Sequence, residues 1–327
     1  MSLALTVRTE RWPVAGTFAI ARGSRSEAVV VVVELADGTH TGRGECVPYR
    51  RYGETVEKVT AAIEEQRGAL DEGLDRAALQ TIKLPGAARN ALDCAFWDLE
   101  AKRAGRPVHA LAGLPPPRPV TTALTISLGT PDAMAQAAAK SAGRALLKVK
   151  LGGDGDPERI AAVREAAPHA ELIVDANESW STRNLADNLA ACTAAGVTLV
   201  EQPLPQSADD ALAGIDHPIP VCADESVHDR TSLDRLAGKY QAINIKLDKA
   251  GGLTEALRLA EEGAQRGFLL MVGCMVATSL SMAPAVLVAQ RARVVDLDGP
   301  LILARDRPHG LVYEQSLVHP ATTELWG

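Results

Sequence analysis

From residue 119 onward, short apolar runs rich in β-branched residues alternate with alanine-rich segments that have helical spacing. Each run is nearly continuously apolar, which is typical of a strand buried on both faces of a parallel sheet. The eight predicted strands lie at 122–128, 145–151, 171–176, 197–202, 219–224, 242–247, 268–274 and 293–298. The residues near their C-terminal ends follow one another at intervals of 22 to 28 positions.

That interval is the length of one strand with its crossover helix. Eight strands joined by seven such crossovers predict an α/β fold, a (β/α)7β barrel that is a variant of the TIM barrel. An open, doubly wound parallel sheet would have the same spacing, and the spacing by itself leaves that alternative open. One helix start is well marked, with Asp156 as the expected N-cap and Pro157 at the first helical position.

The beginning of the chain follows a different pattern and is predicted to form a separate domain. The run 28–35 is a strand that leads into the turn signal Asp37-Gly38. Helices are predicted over 55–66 and 85–104, and the second has one continuous apolar face. A proline-rich linker then ends this domain. The predicted division is 1–117 for the first domain, 118–300 for the barrel and 301–327 for the tail.

One uncharged stretch, 267–290, is long enough to cross a bilayer. It contains Gly273, several hydroxyl residues and Pro284, and it divides into a β-rich half and an alanine- and leucine-rich half. We therefore interpret it as a buried strand followed by a buried helix.

Composition excludes several classes of protein. The 327 residues carry a net charge of −7 with a pI near 5.6, which argues against nucleic acid or an anionic membrane as the main partner. The five cysteines are odd in number and form no C-x-x-C pair, so a disulfide scaffold or a zinc ribbon is not expected. Charged residues near the N-terminus argue against a signal peptide. We expect a cytoplasmic protein with reduced thiols.

Three consecutive predicted strands end in an acid: Asp175, Glu201 and Asp224. A single acid after a strand is usually the N-cap of the next helix. Three of them at the C-terminal ends of neighbouring barrel strands would lie close together and repel one another. A hard divalent cation removes that conflict, and carboxylates without His or Cys favour Mg²⁺ over Zn²⁺.

Lysines occupy two other strand ends. Lys148 and Lys150 are two positions apart and therefore point to the same side of their strand, while Lys246 ends the sixth strand, across the barrel. An exposed edge strand with a lysine face is the alternative interpretation. Adjacent ammonium groups and a metal are expected to lower the lysine pKa values, which makes a neutral lysine a usable base. Two bases on opposite sides of one substrate predict racemisation or epimerisation next to a carboxylate.

Motifs in this order resemble the enolase superfamily, in its muconate-lactonising-enzyme subgroup. They are K-V-K at 148–150, V-D-A-N at 174–177, V-E-Q-P-L at 200–204, A-D-E-S at 223–226, I-N-I-K-L-x-K-x-G-G at 243–252 and the helix 88–108. The resemblance covers essentially the whole chain. It implies that the N-terminal segment and the C-terminal tail together form an α+β capping domain over the barrel. Members of this superfamily use a Lys or His base with Mg²⁺.

The resemblance also implies roles for single residues. Asp175, Glu201 and Asp224 are the expected ligands of one Mg²⁺ per subunit. Lys150 and Lys246 are the expected acid/base pair, and Lys148 is expected to hold the substrate carboxylate and to lower the pKa of Lys150. Lys249 lies in the same motif as Lys246 but is given no such role.

Substrate recognition is implied by other motifs. The D-x-D of Asp296 and Asp298 resembles the eighth-strand signature of dipeptide epimerases, where acids meet the substrate ammonium group; capping of the following turn is the alternative. In the segment 18–28, Arg22 or Arg25 is expected to meet a side-chain carboxylate of the substrate, and Arg22 is the preferred candidate. Thr125 is a further substrate-binding candidate.

The expected function is thus Mg²⁺-dependent epimerisation at the second residue of a dipeptide, with L-Ala-D/L-Glu from murein recycling as the expected substrate. A lyase of the same superfamily, such as an o-succinylbenzoate synthase or a dehydratase, is the alternative, and a non-catalytic scaffold is a third hypothesis. The expected partner is a small dipeptide, with neither nucleic acid nor membrane. Barrels with such a capping domain often form a homo-oligomer, although this sequence shows no clear interface signal.

Overall fold

A computed structural model describes residues 3–327, apart from the side chain of Thr17. The chain begins with a three-stranded antiparallel sheet made of β1 (Ala4–Ile20), β2 (Gly23–Ala36) and β3 (Thr41–Cys46). The predicted strand 28–35 and its turn are confirmed within β2 and the β2–β3 hairpin. The long strand β1 is not predicted by the sequence pattern.

Helices of the first domain cover this sheet. They are α1 (Val56–Glu64), α2 (Arg67–Asp71), α3 (Arg76–Leu79), α4 (Gly86–Ala104) and α5 (Val108–Leu111), with a 3-10 turn at Arg50–Tyr52. Helix α4 lies directly on β3, because a Cβ atom at Gly44 would be 2.0 Å from the carbonyl oxygen of Ala91. Two glycines, Gly42 and Gly44, thus permit the close contact that forms this domain's core.

Eight parallel strands follow and form the predicted barrel in sequential order. They are β5 (Leu124–Ile126), β6 (Leu146–Lys150), β7 (Glu171–Asp175), β8 (Val197–Glu201), β9 (Val221–Ala223), β10 (Ala242–Ile245), β11 (Leu269–Gly273) and β12 (Val294–Asp296). The Ala123 N–H donates to the Val295 carbonyl at 2.8 Å and joins the first strand to the last. The open-sheet alternative is therefore wrong.

Seven helices and two further 3-10 turns lie in the crossovers, and an eighth helix follows the last strand. The helices are α6 (Pro131–Lys140), α7 (Asp156–Ala166), α8 (Leu185–Ala194), α9 (Leu233–Leu236), α10 (Leu247–Ala250), α11 (Leu253–Gln265), α12 (Ser279–Ala289) and α13 (Gly299–Ile302). The 3-10 turns are Asp209–Leu212 and Arg230–Ser232. The expected N-cap is wrong: Gly155 caps α7, and the Asp156 carboxylate instead accepts the N–H groups of Gly152 and Gly153.

The uncharged stretch near residue 270 forms β11 and the buried helix α12, as predicted. Between residues 3 and 327, none of the helices combines the length and the apolar character that a membrane span requires.

An apolar layer closes one end of the barrel interior. Each strand contributes one residue from its first three positions, or from just before it in β5; they are Ala123, Leu146, Ile173, Leu199, Cys222, Ala242, Met271 and Val294. Because side chains alternate along a strand, the residues two and four positions further on also point inward. Those positions hold the lysines and acids of the predicted site, so the layer forms the floor beneath them.

The C-terminal tail returns to the first domain. Its hairpin, β13 (Tyr313–Glu314) and β14 (Leu317–Val318), pairs with β4 (Val120–Thr121). Further on, the Trp326 indole N–H donates to the Cys94 carbonyl on α4 at 3.1 Å. The tail therefore binds both units, while the domain boundaries themselves stay a prediction.

Candidate active site

Buried charges fill the C-terminal end of the barrel. On β6, Lys148 and Lys150 point inward and are only 1% and 7% exposed. The edge-strand interpretation is wrong, because β6 is paired on both sides, with β5 and β7. Burying two ammonium groups is costly unless each is paired with an acid.

Lys148 is the centre of the acidic cluster. Its Nζ lies 2.7 Å from Asp296 Oδ2, 2.6 Å from Glu201 Oε2 and 3.2 Å from Asp175 Oδ2. Burial opposes its positive charge, but the three carboxylates outweigh burial and raise the pKa of Lys148. The lowered pKa was expected with a metal ion beside the lysines; the three carboxylates by themselves act on Lys148 in the opposite direction.

The two proposed acid/base lysines lie on opposite sides of one cavity. Lys150 Nζ contacts Asp175 Oδ2 at 2.6 Å, and Lys246 Nζ contacts Asp224 Oδ2 at 2.7 Å. Four strand positions separate β6 from β10 in the eight-stranded ring, so the two lysines approach from opposite walls. Both line the same cavity. Burial disfavours the charged form of Lys246, but Asp224 and Glu201 outweigh it and raise its pKa.

Asp175, Glu201 and Asp224 are fully buried at neighbouring strand ends, and Asp175 and Glu201 are paired in register. Burial, together with the charge of Asp175, raises the pKa of Glu201. Within residues 3–327, no group of three or more Asp, Glu, His or Cys side chains has the geometry of a metal site. Lysine ammonium groups lie against each of the three carboxylates instead. An all-oxygen set of three buried acids that repel one another nevertheless fits a hard divalent cation.

Lys249 is a site residue that sequence reasoning set aside. It lies on α10, and its buried Nζ donates to Asp224 Oδ1 at 2.5 Å and to the Asn244 carbonyl at 3.0 Å. Asp224 therefore binds two lysines, one at each carboxylate oxygen. The spacing of the two lysines could have indicated this. Where a helix follows directly on a strand, residues three positions apart, such as Lys246 and Lys249, lie on the same face.

The D-x-D acids line a smaller cavity, which they share with Thr125, Phe18 and both lysines of β6. The Thr125 backbone N–H donates to Asp298 Oδ2 at 2.6 Å. Asp298 caps no helix with its side chain, so the capping alternative is not observed. Burial and the neighbouring Asp296 raise the pKa of Asp298 to about 7. Asp296 Oδ1 is buried without a hydrogen-bond partner.

Arg22 lies where the first domain meets the barrel. Its guanidinium donates to Glu225 Oε1 at 2.6 Å, to the Asn177 carbonyl at 3.0 Å and to the Tyr49 hydroxyl at 3.1 Å. Arg25 lines the same cavity and lies over the Tyr49 ring, 5.3 Å from its centroid. The structure thus brings both arginine candidates to the mouth of the cavity, and Arg22 is already paired with an acid.

A salt bridge joins the two units beside Arg22, which itself contacts Glu178 at 3.3 Å. Arg51, in the 3-10 turn after β3, donates to Glu178 at 2.8 and 2.7 Å through two nitrogens. Glu178 lies in the loop after β7 and has a left-handed backbone with φ of 66°. The carboxylate also accepts the Gln206 N–H at 3.0 Å. We refer to this Arg51–Glu178 pair as the mouth bridge.

Family models match both parts of the chain. Residues 2–113 match the mandelate racemase/muconate lactonizing enzyme N-terminal domain, and residues 132–320 match the enolase C-terminal domain-like model. The chain belongs to the enolase superfamily. Within that superfamily it is 49% identical to the L-Ala-D/L-Glu epimerase of Escherichia coli K12, across 95% of this chain and 97% of that protein.

Other superfamily members extend the comparison. The N-acetyl-D-glutamate racemase of a Pseudoalteromonas species is 44% identical, across 91% of this chain and 95% of its own. A solved Agrobacterium tumefaciens enolase family member with homology to dipeptide epimerases, bound to sodium and L-Ala-L-Glu, is 54% identical with a TM-score of 0.98, across 99% and 100% of the two chains. The Enterococcus faecalis dipeptide epimerase, solved with Mg and L-Leu-L-Tyr, is 28% identical with a TM-score of 0.92, and both chains are covered completely.

Proposed function

We propose that this protein is an isomerase that epimerises the second residue of a dipeptide, with L-Ala-D/L-Glu as its substrate. One observation carries the proposal: Lys150 and Lys246 line the same cavity from opposite walls. A base on each face of one α-carbon is what inversion by proton transfer requires. The similarity to the Escherichia coli epimerase supports the choice of dipeptide.

In the proposed mechanism, one lysine removes the α-proton and the other delivers a proton to the opposite face. Lys150 acts on one diastereomer and Lys246 on the other. Lys148 holds the substrate carboxylate and balances the acids around it, at 2.6 to 3.2 Å from three of them.

Asp175, Glu201 and Asp224 would hold one Mg²⁺ per subunit. The bound ion would stabilise the negative charge that develops on the substrate carboxylate when the α-proton leaves. The chemistry of the three buried acids supports this assignment, and related dipeptide epimerases are solved with Mg.

The ends of the substrate are recognised at two further places. Asp296 and Asp298, beside Thr125, would take the ammonium group of the first residue. Arg22 or Arg25 would meet the glutamate side chain at the cavity mouth. Arg22 can do so only by sharing its guanidinium with Glu225, which it contacts at 2.6 Å.

Two other functions are less well supported. A lyase or dehydratase of the superfamily would act on a substrate without an ammonium group and would leave the D-x-D acids unused. A scaffold would not need four buried lysines at one end of the barrel. Racemisation of an N-acetylated glutamate is a nearer alternative, because one relative is an N-acetyl-D-glutamate racemase.

We further propose that the enzyme works in the cytoplasm, on dipeptides released from murein. Its five cysteines, all in the described part of the chain, are free thiols, which suits a reducing compartment.

The test is a panel of dipeptides and N-acetylated amino acids incubated with protein and Mg²⁺ in D₂O. We expect L-Ala-L-Glu and L-Ala-D-Glu to gain one deuteron at the glutamate α-carbon and to interconvert. Exchange only in N-acetyl-glutamate would show that the substrate is an N-acylated amino acid and not a dipeptide. Loss of water from a hydroxy acid, without exchange in any dipeptide, would establish the lyase alternative.

A further inference from the structure

We propose that Asn90 and Asp248 are positioning residues, through which capping-domain helix α4 holds the acid/base lysine Lys246 in place. This inference rests on the proposed function, since it concerns one of the two lysines of that mechanism. Neither residue lines the cavity that Lys150 and Lys246 share. Their effect on catalysis would therefore be exerted through the backbone segment 246–250.

The polar contact is direct and buried. Asp248 lies on α10, two residues after Lys246, and its Oδ1 accepts the Asn90 side-chain N–H at 2.8 Å and the Val47 backbone N–H at 3.0 Å. Asp248 is 6% exposed and Asn90 is 1% exposed. The first domain thus binds the segment twice, from α4 and from the residue that follows β3.

Steric contact holds the same segment from the backbone side. A Cβ atom at Gly86, the first residue of α4, would lie 2.5 Å from the Asp248 carbonyl oxygen and 3.0 Å from that of Lys249. The start of α4 therefore packs directly on the backbone of α10. Any displacement of α4 would be transmitted to the segment, because packed backbone has no room to yield.

The segment carries two groups that converge on one carboxylate. Lys246 precedes α10 and Lys249 lies on it, and their Nζ atoms contact the two oxygens of Asp224 at 2.7 and 2.5 Å. Lys150, in contrast, lies on β6, which is held by hydrogen bonds to β5 and β7 within the barrel. Lys150 thus lies within a paired strand, whereas Lys246 follows the last residue of β10, and its segment is held by the capping domain as well as by the sheet.

This asymmetry makes the inference testable. The variant is Asn90→Ala, which removes the donor to Asp248 and leaves the cavity lining unchanged. The measurement is the initial rate of α-proton exchange in D₂O, made separately for L-Ala-L-Glu and L-Ala-D-Glu. Lys246→Ala and Lys150→Ala first establish which diastereomer each lysine serves. A misplacement of about 1 Å can cost about 10²-fold in rate.

We expect Asn90→Ala to slow exchange of the Lys246-served diastereomer by about 10- to 100-fold, with KM unchanged and with little effect on the other diastereomer. Gly86→Ala, which pushes on α10 from the backbone side, should produce the same selective loss. The matched control is Asp98→Asn, on the same helix. The Asp98 carboxylate is fully buried and accepts the N–H groups of Arg43 and Gly327, away from the segment. We expect this control to lower the stability of the fold without a selective loss of exchange in one diastereomer.

Equal loss of both exchange rates in Asn90→Ala and Gly86→Ala would overturn the inference, because it would show that the pair only stabilises the fold. Unchanged rates for both diastereomers would overturn it as well. A wild-type protein that exchanges neither dipeptide would overturn the proposed function, and this inference with it.

Discussion

At the scale of single residues, the site is a set of buried charges that compensate one another. Lys148 contacts three carboxylates, and Asp224 contacts two lysines. A buried charge without a partner costs several kcal/mol, so removing one group from such a set exposes the others to that penalty. The proposed binding groups are therefore also expected to stabilise this end of the barrel.

Asp298 leads to a prediction about pH. Burial and Asp296 raise the pKa of Asp298 to about 7, so its carboxyl group is neutral below pH 7 and ionised above it. Only the ionised form attracts the substrate ammonium group, which stays protonated until about pH 8. We expect KM for L-Ala-L-Glu to rise by up to about tenfold per unit as the pH falls below 7.

Steady-state kinetics between pH 5.5 and 8 test this expectation. In Asp298→Asn, which cannot ionise, the rise in KM with falling pH should disappear. A KM that is independent of pH in the wild type, or a rise that persists in the variant, would show that Asp298 does not bind the ammonium group.

Residue roles were predictable from sequence where alternation along a strand fixes the direction of a side chain. Lys148, Lys150, Asp175 and Asp296 all reach the barrel interior in this way. The role of Lys249 was not predictable in this way, because it lies on a helical turn after its strand. The Asn90–Asp248 contact joins residues 158 positions apart, and no local pattern indicates it.

At the scale of elements, the barrel strands were predictable because both of their faces are buried, so that their sequences are continuous apolar runs. Strand β1 was not, since exposed polar residues such as Thr6 and Arg8 occupy much of it. It forms because it pairs with the apolar strand β2 over most of its length. A tertiary partner, rather than its own composition, makes it a strand.

The contact between β3 and α4 gives a stability prediction. Gly44→Ala would place a methyl group 2.0 Å from the Ala91 carbonyl oxygen, and both elements would have to separate. We expect a loss of at least about 1–3 kcal/mol in the free energy of unfolding, as for other overpacked cores.

Chemical denaturation measures that loss. Gly68→Ala is the matched control, because its Cβ atom meets no heavy atom within 4 Å and the residue lies in α2. The control should be neutral or more stable by about 0.5–1 kcal/mol. Equal stability of Gly44→Ala and the wild type would contradict the close packing of α4 on β3.

The mouth bridge leads to a prediction about substrate retention. Arg51 holds Glu178 across the junction of the two units, but its side chain is 34% exposed, so solvent weakens the pair. We expect Arg51→Met to raise KM by a few-fold, corresponding to about 1 kcal/mol or less, with kcat nearly unchanged.

Kinetics at low and high salt check this role, because an exposed ion pair weakens as salt increases. Arg50→Met, the exposed neighbouring arginine, serves as control and should leave KM unchanged. A large fall in kcat in Arg51→Met would mean that the bridge acts on the chemical step instead of on substrate retention.

At the scale of the whole molecule, the candidate site is formed by two units. The barrel supplies the lysines and acids, while the first domain supplies Arg22, Arg25 and Arg51. The order of the barrel strands was predictable from their spacing. The way in which the first domain sits on the barrel was not, because buried contacts such as the one between Glu45 and Thr278 join distant parts of the chain.

Metal removal tests the proposed ligand set at this scale. We expect a chelator to abolish activity and Mg²⁺ to restore it, because the cation would stabilise the negative charge that develops on the substrate carboxylate. Mg²⁺ should also raise the melting temperature, since a ligand that binds only the folded state stabilises it. Asp224→Asn should lose both effects. Full activity in the chelated protein would refute the metal assignment.

The central claim is that two lysines on opposite walls each serve one face of the α-carbon. The most direct test follows the glutamate α-proton by NMR in D₂O for L-Ala-L-Glu and L-Ala-D-Glu, in the wild type, Lys150→Ala and Lys246→Ala. We predict that each variant loses interconversion by at least about 10²–10⁴-fold. Each should retain exchange in one diastereomer only, and the two variants should retain opposite ones. Interconversion at a near wild-type rate in either variant would contradict the two-lysine account.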